Sequence, residues 1–330
     1  LSFDPHFEST RMKPTPVIID CDPGIDDTIA LLTAFVSPEL NILGITPVCG
    51  NQPLERTVRN ALQVCELGER TDIPVYAGCF RPILRDPIYG QFHGKTGLGN
   101  TTLPDPVKQA EPLSAVDFII EALSKAAQSG ERITICCLGP MTNIAVALRI
   151  KPQIAEGVER IVMMGGAYRE SGNRSMTAEF NMLADPHAAH VVFSSGISIV
   201  ALALDATHQV MLKPEHVSEF ARVSGRISQT IAELMAFWDR NDVLRYGSRG
   251  GPLHDPLVMA YILAPKLFET QKARIFVEHE SELCMGQTIA DWYGKSGLEP
   301  NAEIVTRVDA QGVIDFFLER LSRYAEKTPA

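Results

Sequence analysis

From residue 16 to residue 204, short apolar runs alternate with stretches of helical periodicity. PVIID (16–20), NILGITPV (41–48), IPVYAG (73–78), RITICCLG (132–139), RIVMMGG (160–166) and ISIVALAL (197–204) have the near-continuous apolar character of strands covered on both faces. Between them, TIALLTAFV (28–36), LERTVRNALQVCELG (54–68), SAVDFIIEALSKAAQ (114–128), MTNIAVALRI (141–150) and DPHAAHVVFS (185–194) read as helices. This alternation predicts βαβ units and an α/β fold with an open, mostly parallel central sheet flanked by helices, a Rossmann-like core. Farther along, ARIFVEHE, ELCMGQTIADW and AEIVTRV read as strands, and VIDFFLERLSRYAEK as a closing amphipathic helix.

Two stretches break the rhythm. Residues 79–112 are rich in Gly and Pro without periodicity, as lids and binding loops often are. Residues 240–253, RNDVLRYGSRGGPL, read as a second polar flap between two helices. No linker or internal repeat divides the chain, so residues 12–330 are expected to form a single domain. Residues 1–11 are expected to be a cloning remnant or a disordered extension; they lack the basic and apolar regions of a secretory signal.

Charge excludes some functions. A net charge of -10 argues against a nucleic-acid partner, which calls for a basic stripe. No apolar run approaches the roughly 20 residues that span a bilayer, so no membrane partner is expected. Seven scattered cysteines, only Cys136 and Cys137 adjacent, read as reduced thiols in a cytoplasmic compartment.

The first strand ends in DCDPGIDD (20–27), four aspartates in one turn. A single Asp before a helix is ordinarily an N-cap, and one of these could be that. Four like charges a few ångströms apart repel strongly unless neutralised, so they either fan into water or surround a cation. The second reading is favoured because ligands of parallel-sheet proteins bind beyond the carboxyl ends of the strands. Carboxylates and carbonyls without Cys or His favour a hard cation, Ca²⁺ or Mg²⁺, and room for two sugar hydroxyls would suit Ca²⁺.

Other strand ends carry further candidates. In CGN (49–51), Cys49 reads as packing and Asn51 as a hydroxyl-binding amide. In LGPMTN (138–143), Thr142 or Asn143 is expected to cap the next helix. Gly165 and Gly166 allow a backbone to approach a ligand closely. Glu179 and Asn181 precede a helix that Asp185 is expected to cap. In LHDP (253–256), Asp255 is expected to cap its helix and could ligate a metal as well, with His254 beside it as a titratable acid.

DCDPGIDD strongly resembles the N-terminal signature of the inosine-uridine-preferring nucleoside hydrolases. The likeness continues through VCGN, LGPMTNIA, MGGAY, TAEFN followed by DPHAAH, and LHDP, in the family's order over roughly residues 16–320. The resemblance implies a tightly bound Ca²⁺ and hydrolysis of the N-glycosidic bond of ribonucleosides. It makes Asp22, Asp27, Asp255 and the Leu138 carbonyl the metal ligands, with Asp22 also the general base. Asp26, Asn51, Glu179 and Asn181 match ribose-binding positions, joined by Met164 and Asn173. His254 matches the acid that protonates a purine leaving group, and His93, in HGKTGLG, a lid histidine. Asp20 is read as holding the loop rather than touching metal. A homo-oligomer, dimer or tetramer, is also implied. One departure concerns the base: where relatives often carry flap tyrosines, this chain has Phe237 and Asn241, with Tyr246 nearby. Two rivals exist. A haloacid-dehalogenase-type phosphatase would use the Asp20–Asp22 pair but needs a Thr or Val at Gly24 and a downstream lysine. A ribonucleoside-binding protein would keep the sugar contacts without turnover.

Overall fold

The computed structural model describes residues 13–223, 225–246 and 251–325, with 238–246 described by backbone alone. In chain order the elements are β1 (Thr15–Cys21), α1 (Ile25–Phe35), β2 (Leu40–Pro47), α2 (Leu54–Leu67), α3 (Ala115–Ser129), β3 (Ile133–Cys137), α4 (Thr142–Ile150) and β4 (Val158–Met164). Then come α5 (Phe180–Ala184), α6 (Pro186–Phe193), β5 (Ile199–Leu202), α7 (Leu204–Thr207), β6 (Met211–Leu212), α8 (Pro214–Arg222), α9 (Arg226–Tyr246) and β7 (Gly251–Pro252). The last are α10 (Pro256–Leu263), β8 (Phe268–Val277), β9 (Thr288–Asp291), β10 (Ala302–Val308) and α11 (Ala310–Ser322). No described helix is long and apolar enough to cross a membrane.

Eight strands form one sheet in the order β2-β1-β3-β4-β5-β10-β8-β9. The first six neighbours run parallel, while β8 and β9 close one edge antiparallel. Both faces are covered. Val17, Ile19 and Cys21 of β1 face a core built with α1, α10 and α11, and Ile18 faces the core built with α3, α4 and α6. The period of two along the strand thus splits one apolar run between two cores. The chain leaves β1 for β2 on one side and returns to β3 on the other. The order therefore reverses between β1 and β3, where an open sheet leaves a crevice at its carboxyl edge.

Three elements depart from the sequence reading. Residues 73–78 make only isolated bridges, Val75 with Ile45 and Tyr76 with Glu111, because Pro74 offers no N–H for a ladder. Of ELCMGQTIADW only Thr288–Asp291 is a strand, since Gly286 turns the chain at φ 77°. The expected flap at 240–253 is helical as far as Tyr246, because no Gly or Pro interrupts 226–246. Residues 1–11 lie outside the described residues, as do the side chains of Asn241 and Tyr246.

Gly157, entering β4, lies so close to α3 that a Cβ would run into the Leu123 carbonyl oxygen. Gly157→Ala is expected to cost about 1–3 kcal/mol of stability, read as a lower urea midpoint at unchanged slope. A wild-type midpoint would show that α3 yields freely there.

Candidate active site

The crevice between β1 and β3 is where the aspartates converge. Asp27, in the first turn of α1, accepts from the Asp22 amide at 3.1 Å and the Gly24 amide at 2.9 Å. It thereby satisfies donors that the turn and helix start would leave orphaned. Asp22 accepts from the Asn51 amide at 2.6 Å, and Asn51 Nδ2 reaches the Asp22 carbonyl at 3.2 Å and Asp27 at 3.3 Å. Gly50 and Gly139 make this possible, since a Cβ at either would collide with the Asp22 carboxylate. Asp255 opens α10, which packs on α1. It stands at the N-cap position but makes no capping bond. Its expected capping role is therefore corrected: the Leu257 and Val258 amides that a cap would satisfy donate instead to the His254 and Asp255 carbonyls at 3.1 and 3.0 Å, and the carboxylate joins the other acids.

Asp26, Asp27 and Asp255 are buried and present carboxylate oxygens within 4.8 Å of one another. The set expected from the sequence had Asp22 where this trio has Asp26. Asp22 is buried in the same group, and one oxygen each of Asp22 and Asp26 has no hydrogen-bond partner. Burial, reinforced by the neighbouring carboxylates, holds Asp22 and Asp255 well above the usual carboxylate range. Asp27 is raised to about 6, by burial first and Asp26 second.

Asp20 lies one layer back, accepting from Thr46 Oγ1 at 2.7 Å and Asn143 Nδ2 at 2.8 Å. Burial raises it to about 7 despite those two bonds. Thr142 and Asn143 do not cap α4, contrary to expectation. Thr142 donates to Asp185 at 2.7 Å, and Asn143 Oδ1 accepts from the Cys79 amide at 2.7 Å while its amide holds Asp20. Long-range partners outcompete the local cap. Asp185 does cap α6, through Ala188 N, and also accepts from Ile83 N at 2.9 Å. Asn143 and Asp185 therefore pin the start of the 79–112 loop to the sheet.

An open cleft of about 750 Å³ lies above this cluster. Its walls include Asp22, Asp26, Asn51, His93, Leu138, Met164, Asn173, Glu179, Asn181, His254 and Asp255, which is every expected site residue except Asp27. Glu179 caps α5, accepting from Asn181 N and Met182 N, and also from Gly166 N at 3.1 Å. Burial, offset by these amides, raises Glu179 to about 7. Asn181 Nδ2 donates to the Leu138 carbonyl at 2.7 Å and the Met164 carbonyl at 3.2 Å. His93 Nδ1 accepts from Ile25 N at 3.1 Å, fastening the Gly-rich loop over the start of α1. Burial depresses His93 to about 4, so the ring is neutral and suited to accept that bond. His254 Nδ1 lies 2.9 Å from Thr207 Oγ1. Phe237 lies against Gly99 of the same Gly-rich loop. Sequence reasoning missed Phe92, Phe180 and Arg174, which also line the cleft. Phe180 stood inside the EFN motif and Arg174 next to Asn173, so adjacency was the available signal.

A family model described as inosine-uridine preferring nucleoside hydrolase matches residues 17–315. The chain belongs to this family. The Escherichia coli protein named pyrimidine-specific ribonucleoside hydrolase RihA is 40% identical over 312 residues, 94% of this chain and 99% of that one. A purine-preferring ribonucleoside hydrolase from Gardnerella vaginalis has the same fold at TM-score 0.88 and 32% identity, covering 95% of this chain and 100% of that one. A plant nucleoside hydrolase matches at TM-score 0.86 and 31% identity, covering 94% and 99%. The protein is thus a nucleoside hydrolase, an enzyme acting on ribonucleosides, and the α/β architecture is that of its structural relatives.

The family is metal-dependent, and the residues of this nucleoside hydrolase fit a cation. Asp22 and Asp26 have buried oxygens without donors, and the donor set is oxygen alone, which suits a hard ion. The Leu138 carbonyl spends one lone pair on Asn181 and has a second for another partner.

Asn143→Leu removes the bonds to Asp20, Thr46 and Cys79. It is expected to cost about 1–3 kcal/mol and to speed hydrogen exchange at the Cys79 amide. Unchanged exchange there would show that the loop is anchored by Asp185 alone.

Proposed function

We propose that this nucleoside hydrolase uses Ca²⁺ to cleave the N-glycosidic bond of purine or pyrimidine ribonucleosides, yielding ribose and free base. The convergence of Asp22, Asp26, Asp27 and Asp255 at the end of β1, with two carboxylate oxygens lacking donors, carries this reading. Asp22, Asp27, Asp255 and the Leu138 carbonyl would hold the ion. When bound, it supplies charge that lowers the pKa of a coordinated water.

The rest falls to the chain's own side chains. The Asp22 carboxylate takes the proton of the attacking water. As the bond to the base stretches, positive charge grows on the sugar, and Asp26 and Glu179 stabilise it. Asp26, Asn51, Glu179, Asn181, Asn173 and Met164 bind and orient the ribose, and His93 closes the loop over it. His254, oriented by Thr207, gives a proton to the departing base. A vicinal diol suits an ion that takes six to eight oxygens, which favours ribonucleosides over deoxyribonucleosides. Uridine is the first substrate to try, because RihA, the pyrimidine-specific relative, is more similar in sequence than the purine-preferring one. The enzyme is further proposed to be a cytoplasmic homo-oligomer, dimer or tetramer; its seven free thiols suit a reducing compartment.

Ribose should appear from uridine or inosine without added phosphate. Tight nucleoside binding with no ribose would point instead to a binding protein. Asp22→Asn is expected to lower kcat by about 10²–10⁴-fold and to weaken Ca²⁺ retention; near-normal turnover would overturn its role as base. Chelation should abolish activity, and Ca²⁺ should restore it better than Mg²⁺ does. His254→Ala should slow inosine far more than a riboside with an activated leaving group, and equal losses would remove His254 as the acid.

A further inference from the structure

Arg174 is the only lysine or arginine among the described residues of the cleft wall. It sits in the loop 172–178, its own amide donating to the Ala178 carbonyl at 3.2 Å and the Gly172 amide to the Met176 carbonyl at 3.3 Å. Asn173 Oδ1 accepts from Phe180 N at 2.9 Å. The loop is thus tied to the start of α5, beside Glu179 and Asn181. The Arg174 side chain is half-buried, and its Nε is fully shielded from solvent with no hydrogen-bond partner. Among the described residues nothing hydrogen-bonds or pairs with the other two guanidinium nitrogens, which are not shielded and are the ones an anion in the cleft can reach.

We propose that the cleft also takes ribonucleoside 5′-monophosphates, with Arg174 holding the 5′-phosphate. This rests on the ribonucleoside reading above. In that reading the diol faces the aspartates and the base faces His254. The remaining substituent, on C5′, then meets the wall formed by Asn173 and Arg174. A hydroxyl there is served by the neutral amide of Asn173. A guanidinium one residue farther out matches an anion, and its planar fork suits phosphate oxygens in particular. The chemistry is unchanged. Water oxygen bonds to C1′, the C1′–N bond breaks with its electron pair going to the base, and the water's proton ends on the base. The phosphate ester stays intact, so the products are free base and ribose 5-phosphate.

The test uses the full Ca²⁺-loaded chain with uridine and uridine 5′-monophosphate, following uracil and identifying the sugar product. The expected result is uracil with ribose 5-phosphate from the monophosphate. Arg174→Ala should lower kcat/KM for the monophosphate about 30-fold more than for uridine, the size of a charge-assisted bond, and Arg174→Lys should recover part of the loss. Turnover of uridine without turnover of the monophosphate would overturn the proposal, as would equal losses on both. In parallel, ribose 5-phosphate should bind about tenfold or more tighter than ribose, an advantage that Arg174→Ala removes. Uracil from neither substrate would refute the hydrolase reading by itself. Affinities for the two sugars would then decide separately, and a ratio near one would overturn the phosphate site.

Discussion

Mutual repulsion among buried carboxylates is the constraint around which this molecule is arranged. Asp26, Asp27 and Asp255 bring oxygens within 4.8 Å of one another, with Asp22 beside them. At that separation each ionised pair costs about 3–4 kcal/mol even at an effective dielectric near 20. Three such pairs match the whole net stability of an ordinary domain, about 5–15 kcal/mol. The fold nevertheless assembles them deliberately. Two helices begin at this point, two glycines stand aside for Asp22, and the strand order reverses here so that a crevice opens. Burial and the neighbouring carboxylates hold Asp22 and Asp255 well above the usual carboxylate range. A cation among these oxygens would offset the same repulsion, which is what makes the arrangement fit a metal site.

A second layer keeps that arrangement in place. Asp20 never reaches the cleft; Thr46 and Asn143 hold it beneath the loop that carries Asp22. Asn143 and Asp185 then tie the same floor to Cys79 and Ile83, where the long loop bearing His93 departs. His93 returns to the start of α1 through Ile25. Loop and floor are therefore joined at the start of the loop and again near its middle. The sugar-facing wall is built likewise: Glu179 spends its carboxylate on the amides of Gly166, Asn181 and Met182, so its position is fixed by backbone.

The parallel core was legible in the sequence because strands buried on both faces cannot hide polar residues; β1, β3, β4 and β5 announce themselves as apolar runs. The place of the site was legible for a related reason, since strand ends are where polar residues can resume. What stayed hidden depended on partners far away in the chain. Thr142 and Asn143 look like caps from their neighbours alone, yet their partners lie 43 and 123 residues away. Asp255 is similar: the local pattern favours a cap, while packing of α10 on α1 delivers it to the acids. Arg174 escaped notice because its one signal, adjacency to Asn173, does not by itself distinguish a surface arginine from one that lines a cleft.

The charge layout also bears on what can occupy the cleft. Carboxylates that stabilise a positively charged sugar must repel any anion carried by the same sugar, and the effect is strong where water is excluded. A neutral nucleoside avoids the conflict altogether. A phosphorylated one is acceptable only if its anion lies at the far end of the ribose from the aspartates and meets a compensating charge there. Among the described residues of the cleft wall, Arg174 in the loop 172–178 is the one that carries such a charge. If it holds the phosphate as proposed, replacing it by a neutral residue would leave the repulsion uncompensated and the acidic floor would favour uncharged substrates.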